Sequence, residues 1–137
     1  MNAVHVLENK ISTVRKYLLG LDAFQTYTKE EILSDEMKLR ALERQLYLLT
    51  QATIDLAGAV LSKKKLRKPT TYKENFEILN EAGLISKELL EKMTKMTGFR
   101  NILAHQYVAL DNNKLYDVLV NSSKDIGFFL DELEGNL

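Results

Sequence analysis

The stretch Leu39-Arg40-Ala41-Leu42-Glu43-Arg44-Gln45-Leu46-Tyr47-Leu48-Leu49-Thr50-Gln51-Ala52-Thr53-Ile54-Asp55-Leu56-Ala57-Gly58-Ala59-Val60 can form only one kind of element. Leu39, Leu42, Leu46, Leu49, Thr53, Leu56 and Val60 recur at alternating spacings of three and four, a heptad-like seam that falls on one side of a helix. The helix is expected from about Asp35 to Lys64. Ser34, followed by Asp35 and Glu36, is its start signal. Beyond the basic run Lys63-Lys64-Lys65-Leu66-Arg67-Lys68 stands Pro69, where a helix cannot continue. At 1.5 Å per residue the helix spans roughly 45 Å. That is long for a chain of 137 residues, so part of it is expected to contact a second copy.

The segments on either side are helical too. Val4, Leu7, Ile11, Val14 and Leu18 share one face of a helix from about Val4 to Leu21, with Gly20 near its end. Thr28 and Glu31 have the spacing of a capping box and open a short helical piece. Thr71 and Glu74 repeat that spacing ahead of Phe76, Ile78 and Leu79, and this third helix stops at Gly83. Ser86 caps a fourth, which carries Leu89, Leu90, Met93 and Met96. Asp111-Asn112-Asn113 is a turn and cap. The last helix, about Lys114 to Leu133, turns Leu115, Val118, Leu119, Ile126, Phe129 and Leu130 inward. The expected fold is all-α: one domain of residues 1–137, an up-and-down bundle of about five helices, acting as a homodimer.

Composition agrees with this and narrows the chemistry. A single proline and six glycines suit long helices rather than a many-turned sheet. There is no cysteine, which removes disulfides, thiolate metal sites and cysteine nucleophiles. Nineteen basic residues balance nineteen acidic ones, so binding to nucleic acid would rest on a local patch. No apolar run approaches the roughly 20 residues needed to span a bilayer, and Met1-Asn2-Ala3-Val4-His5 is not a secretory signal. A cytoplasmic protein without membrane contact is expected.

Polar chemistry concentrates in Gly98-Phe99-Arg100-Asn101-Ile102-Leu103-Ala104-His105-Gln106-Tyr107. On a continuous helix Arg100 and His105 are separated by ~140° and ~7.5 Å of rise, whereas Asn101 and His105 share a face. A two-fold dimer helps to bring such groups together, because it supplies a second copy of each across the interface. The groups suit attack on a phosphodiester. Imidazole exchanges protons near neutral pH, and guanidinium matches phosphate oxygens and stabilises charge gathering on them. Asn101 can orient the histidine or hold the substrate. RNA carries its own 2′-hydroxyl nucleophile, which favours RNA over DNA. Neither a metal nor a cofactor is required.

Arg100-x-x-x-x-His105-x-Tyr107 resembles the signature of the HEPN superfamily, in its HepT-like branch. Thr53-Ile54-Asp55-Leu56-Ala57 is similar to that branch's pattern. So are Pro69-Thr70-Thr71-Tyr72 leading to Phe76 and Leu79, Gly83-Leu84-Ile85, Met96-Thr97-Gly98-Phe99-Arg100-Asn101, and Asp111 after the tyrosine. The resemblance implies a homodimeric, metal-independent endoribonuclease toxin with Arg100 and His105 catalytic in a cleft between protomers. It also implies a cognate minimal nucleotidyltransferase antitoxin of the MntA type, which neutralises the toxin by transferring AMP to Tyr107.

Plainer roles exist for each residue. His105 can be a hydrogen-bonded histidine at a helix end, Arg100 an ion-pair partner of Glu91 or Asp111, and Tyr107 an amphipathic residue at the bundle rim. Lys63, Lys64, Lys65, Arg67 and Lys68 suit a solvated helix end as well as an RNA backbone. Asp55 breaks an apolar face and either pairs with a cation or faces the dimer cleft. Met93 and Met96 read as core. The whole chain can also be read as a non-catalytic subunit that binds a nucleotide or the nucleotidyltransferase, or as a purely structural helical dimer.

Overall fold

The leucine seam is helical from Glu36 to Lys63, and the other helices pack around it. The computed structural model describes residues 3–105 and 111–137, the side chains of Ala3, Val4 and His105 excepted. In chain order these form α1 (Ala3–Asp22), a 3-10 turn (Ala23–Thr26), α2 (Lys29–Leu33), α3 (Glu36–Lys63), α4 (Tyr72–Glu81), α5 (Lys87–His105) and α6 (Asn112–Asn136), with no strand among the described residues. The five expected helices are present. The Thr28 hydroxyl accepts from the Glu31 amide at 3.1 Å, and the short piece it opens is α2.

α3 touches all five other helices. Leu42, Leu46, Leu49, Thr53, Leu56 and Val60 have no exposed surface, so the seam is filled from within the chain. Each such leucine contributes about 1.5–3 kcal/mol of burial. Any contact of α3 with a second copy must therefore use its other faces. Phe76 of α4 meets Phe129 of α6 edge to face, with ring centroids 5.6 Å apart, which ties the C-terminal helix over the α3–α4 layer.

The helix ends show where the sequence signals needed correction. The cap of α3 is Asp35, whose Oδ1 accepts from the amides of Met37 at 2.9 Å and Lys38 at 3.2 Å. Ser34 instead closes α2, its own amide donating to the Glu30 carbonyl. The end of α3, expected at about Lys64, falls at Lys63. Lys65 takes a left-handed φ of 56°, and the Leu66 amide donates back to the Leu61 carbonyl at 3.0 Å. That is the paired-bond termination usually built on glycine. Gly83 fills the same position after α4, with φ 75° and a Leu84-to-Leu79 bond of 2.9 Å. Gly20 lies near the end of α1, as expected, the helix running on to Asp22; a Cβ at Gly20 would run into the Gln45 amide, which donates to the Tyr17 carbonyl at 3.1 Å. Ser86 and Asp111 cap α5 and α6 as expected, and α6 runs beyond Leu133 to Asn136.

Candidate active site

Met93, Met96, Phe99 and Leu103 are buried along α5 and fix its rotation in the bundle. Arg100, next to Phe99, is thereby turned towards α3 and the head of α4. Its guanidinium is half-buried and held on several sides. Nε donates to Gln51 Oε1 at 2.9 Å. Nη2 reaches the Tyr47 hydroxyl at 3.4 Å and Nη1 reaches Asn101 Oδ1 at 3.4 Å. Cζ lies 5.4 Å from the Tyr47 ring centroid and 5.0 Å from that of Tyr72, within the range of cation–π attraction.

Every one of these partners is neutral. Arg100 forms no ion pair with any described residue, so neither Glu91 nor Asp111 neutralises it. The Asp111 carboxylate is occupied at the head of α6, accepting from the Asn113 amide at 2.9 Å. The guanidinium is thus positioned without being neutralised, the state in which an arginine binds an incoming anion most strongly.

Asp55 pairs with no cation among the described residues; it accepts from Gln51 Nε2 at 3.0 Å. An amide presents a donor on one side and an acceptor on the other. By taking the Nε2 side, Asp55 turns the Gln51 carbonyl towards Arg100. Tyr47, Gln51 and Asp55 are spaced four apart on α3 and form one polar stripe beside the leucine seam.

α5 is helical without interruption from Lys87 to His105, so Arg100, Asn101 and His105 stand on one continuous helix, His105 at its last position. The side chain of His105 and all of Tyr107 lie outside the described residues. Of the basic run, Lys63, Lys64, Lys65 and Lys68 are exposed, with no ion pair to another described residue. Arg67 is engaged, bonding Glu74 at 2.5 Å and Glu81 at 2.8 Å. Those two carboxylates hold its pKa above the ordinary arginine value, Glu81 contributing most.

Two features escaped the sequence reading. Tyr47 and Gln51 were ordinary residues of an amphipathic helix, although their spacing with Asp55 marks a stripe. Tyr72 comes to Arg100 only through the α4–α5 packing, and nothing local to it points there.

An all-helical bundle that presents an uncompensated arginine on its penultimate helix is able to receive an anion such as a phosphodiester there. Comparison with known proteins makes that class specific. Residues 7–133 match the HepT-like family model, described as Ribonuclease HepT-like, and the chain belongs to that family. The tRNA nuclease HepT of Aphanizomenon flos-aquae is 32% identical over 111 residues, covering 81% of this chain and 76% of the relative. The mRNA nuclease HepT of Shewanella oneidensis is 25% identical over 130 residues, covering 94% of this chain and 96% of the relative. Among solved structures, the tri-AMPylated Shewanella oneidensis HEPN toxin in complex with MNT antitoxin superposes with a TM-score of 0.85 at 25% identity, over 98% of this chain and 99% of that one. No helix among the described residues is long and apolar enough to cross a membrane.

Proposed function

We propose that this protein is an endoribonuclease toxin of a toxin–antitoxin pair, cutting RNA without a metal in a cleft shared by two copies. The observation that carries this reading is the pre-positioned Arg100 guanidinium, held by Gln51, Tyr47 and Tyr72 and neutralised by no described carboxylate. The family membership and the nuclease relatives support it.

In this reading Arg100 grips the non-bridging oxygens of the scissile phosphate and stabilises the charge that builds there. His105 takes the proton of the ribose 2′-hydroxyl as that oxygen attacks phosphorus, and imidazolium returns a proton to the departing 5′-oxygen. The products are a 2′,3′-cyclic phosphate and a 5′-hydroxyl. Asn101 supports the site, and Lys63, Lys64, Lys65 and Lys68 guide the RNA backbone, with Arg67 contributing once released from its carboxylates. The partner is a minimal nucleotidyltransferase that silences the toxin by transferring AMP to Tyr107, a reading supported by the similarity to an AMPylated toxin bound to its MNT antitoxin.

The test is cleavage of RNA by purified protein in chelator, with end analysis. Wild type should leave cyclic phosphate ends, and His105→Ala and Arg100→Ala should not cut. Equal cutting by His105→Ala refutes the role of His105. Absence of cutting by wild type at high concentration, with complex formation weakened by Arg100→Ala, would favour a non-catalytic binding subunit. Intact mass after co-expression with the nucleotidyltransferase should show steps of one AMP, lost in Tyr107→Phe.

A further inference from the structure

Three of the chain's arginines are committed to carboxylates: Arg15 to Glu134, Arg40 to Glu36 and Glu43, and Arg67 to Glu74 and Glu81. The others are Arg44 and Arg100. Neither forms an ion pair with a described residue, and the two meet on one side chain. Arg44 Cζ lies 5.6 Å from the Tyr47 ring centroid, and Arg100 Cζ lies 5.4 Å from the same centroid. Less than twice the first of those distances therefore separates the two guanidinium carbons.

Like charges this close repel each other, and the carboxylates of α3 near Arg44 are already engaged. Glu43, its neighbour in the chain, is only 6% exposed and bonds Arg40 at 2.7 Å. Glu36 takes the same arginine at 3.0 Å, and Asp35 takes Lys38 at 2.9 Å. Arg44 itself is exposed. A pair of guanidiniums left in this state is suited to anions arriving from solvent, and phosphate oxygens match the guanidinium fork.

Topology gives the direction in which a strand would run. At the end of α6, Asn136 donates to the Leu84 carbonyl just ahead of α5 at 3.2 Å, so α6 runs antiparallel to α5. Near the start of α6, Tyr116 meets Lys29 of α2. Tyr27, just before α2, lies beneath Lys38 in the first turn of α3. The far end of α5 therefore points towards the head of α3. His105 lies beyond Arg100 on α5 in the same sense as Arg44 lies beyond Gln51 on α3. An RNA backbone carries a charge every few ångströms, so a strand with one phosphate on Arg100 that passes the end of α5 brings a neighbouring phosphate to Arg44.

We propose that Arg44 is a second phosphate-binding residue, which holds a neighbouring phosphate of the strand gripped by Arg100, with the Tyr47 ring keeping the two guanidiniums in register. The inference rests on the ribonuclease reading and adds to it the path of the substrate.

Binding of a short labelled 2′-O-methyl RNA, which cannot be cut, is followed by fluorescence anisotropy across a series of potassium chloride concentrations. Arg44→Gln should weaken binding several-fold at low salt. The plot of log affinity against log salt should become shallower by about 0.7 for each Arg44 that touches the strand. Arg44→Lys keeps the charge and should restore the slope, a rescue that a purely structural arginine would not show. Circular dichroism checks that both variants are folded. In cleavage of a longer RNA the loss in Arg44→Gln should fall on KM rather than on kcat. Unchanged affinity with an unchanged slope overturns the phosphate site. So does unchanged RNA binding with weakened association with the nucleotidyltransferase, which would assign Arg44 to a carboxylate of a protein partner. If wild type cuts no RNA, it is the ribonuclease reading that fails, and the binding arm then decides alone: a shallower slope in Arg44→Gln upholds the site, and an identical one overturns it.

Discussion

Arg100 on α5 and Gln51 on α3 are joined by a 2.9 Å hydrogen bond from Nε to Oε1, and the other side of the same amide is held at 3.0 Å by Asp55. A bond to a charged donor is worth about 1.5–3 kcal/mol, and here it aims the guanidinium. Gln51→Leu is therefore expected to lower kcat/KM for RNA cleavage by about tenfold or more, with the fold intact by circular dichroism. Asp55→Ala should have a smaller effect in the same direction, since the amide keeps its carbonyl and loses only what orients it. A Gln51→Leu enzyme as fast as wild type would show that Arg100 needs no such support.

The two rings within reach of the guanidinium, Tyr47 and Tyr72, make a separate prediction. Tyr72→Phe retains the π face and should keep most of the cleavage rate. Tyr72→Leu removes an attraction of about 0.5–2 kcal/mol and should cost several-fold in kcat/KM. Tyr47→Phe isolates the hydroxyl, whose 3.4 Å contact with Nη2 is long, and should be nearly silent. Single-turnover cleavage of one labelled RNA by the three variants separates these cases.

The bundle was legible in the sequence because its signals are local: the period of Leu39 to Val60, the capping boxes at Thr28 and Thr71, and the Gly83 stop all act within a few residues. The boundary errors have physical causes. Asp35 outcompeted Ser34 for the α3 cap because Ser34 was already closing α2. The end of α3 fell where expected, at Lys63–Lys64, although the left-handed Lys65 that shapes it is a feature composition cannot reveal. At the site, the Arg100 and Asn101 neighbourhood stood out as polar chemistry in an apolar helix. Gln51 did not, and Tyr72 was marked only by its likeness to the family pattern, because the two reach Arg100 from α3 and α4 through tertiary packing alone.

Lys65 offers a stability test. A non-glycine residue in the left-handed region costs roughly 1–2 kcal/mol, and Lys65 sits there with φ 56°. It is exposed and makes no ion pair with a described residue. Lys65→Gly should raise unfolding free energy by about 1 kcal/mol and the thermal midpoint by roughly 4 °C. Lys65→Ala should gain little, because the strain remains. Calorimetry on both variants distinguishes relief of backbone strain from removal of a positive charge.

Acid should unfold the protein partly through the cluster around Arg67. The Thr70 hydroxyl, more than Arg67, holds Glu74 below its usual range, and Arg67 does the same for Glu81. Lys38 lowers Asp35 at the head of α3. A carboxylate whose folded pKa is depressed contributes stability present above its unfolded value and lost as pH falls through the folded one. Unfolded glutamate titrates near 4.5 and aspartate near 3.8, so stability should hold above that range and decline as the pH drops beneath it. Arg67→Gln removes the main cause at Glu81 and the lesser cause at Glu74, leaving Thr70 in place. The urea midpoint of this variant should therefore fall less steeply with acid than that of wild type, the two converging at low pH. If Arg67 served RNA and not the fold, the substitution would weaken RNA binding and leave the acid profile as it was.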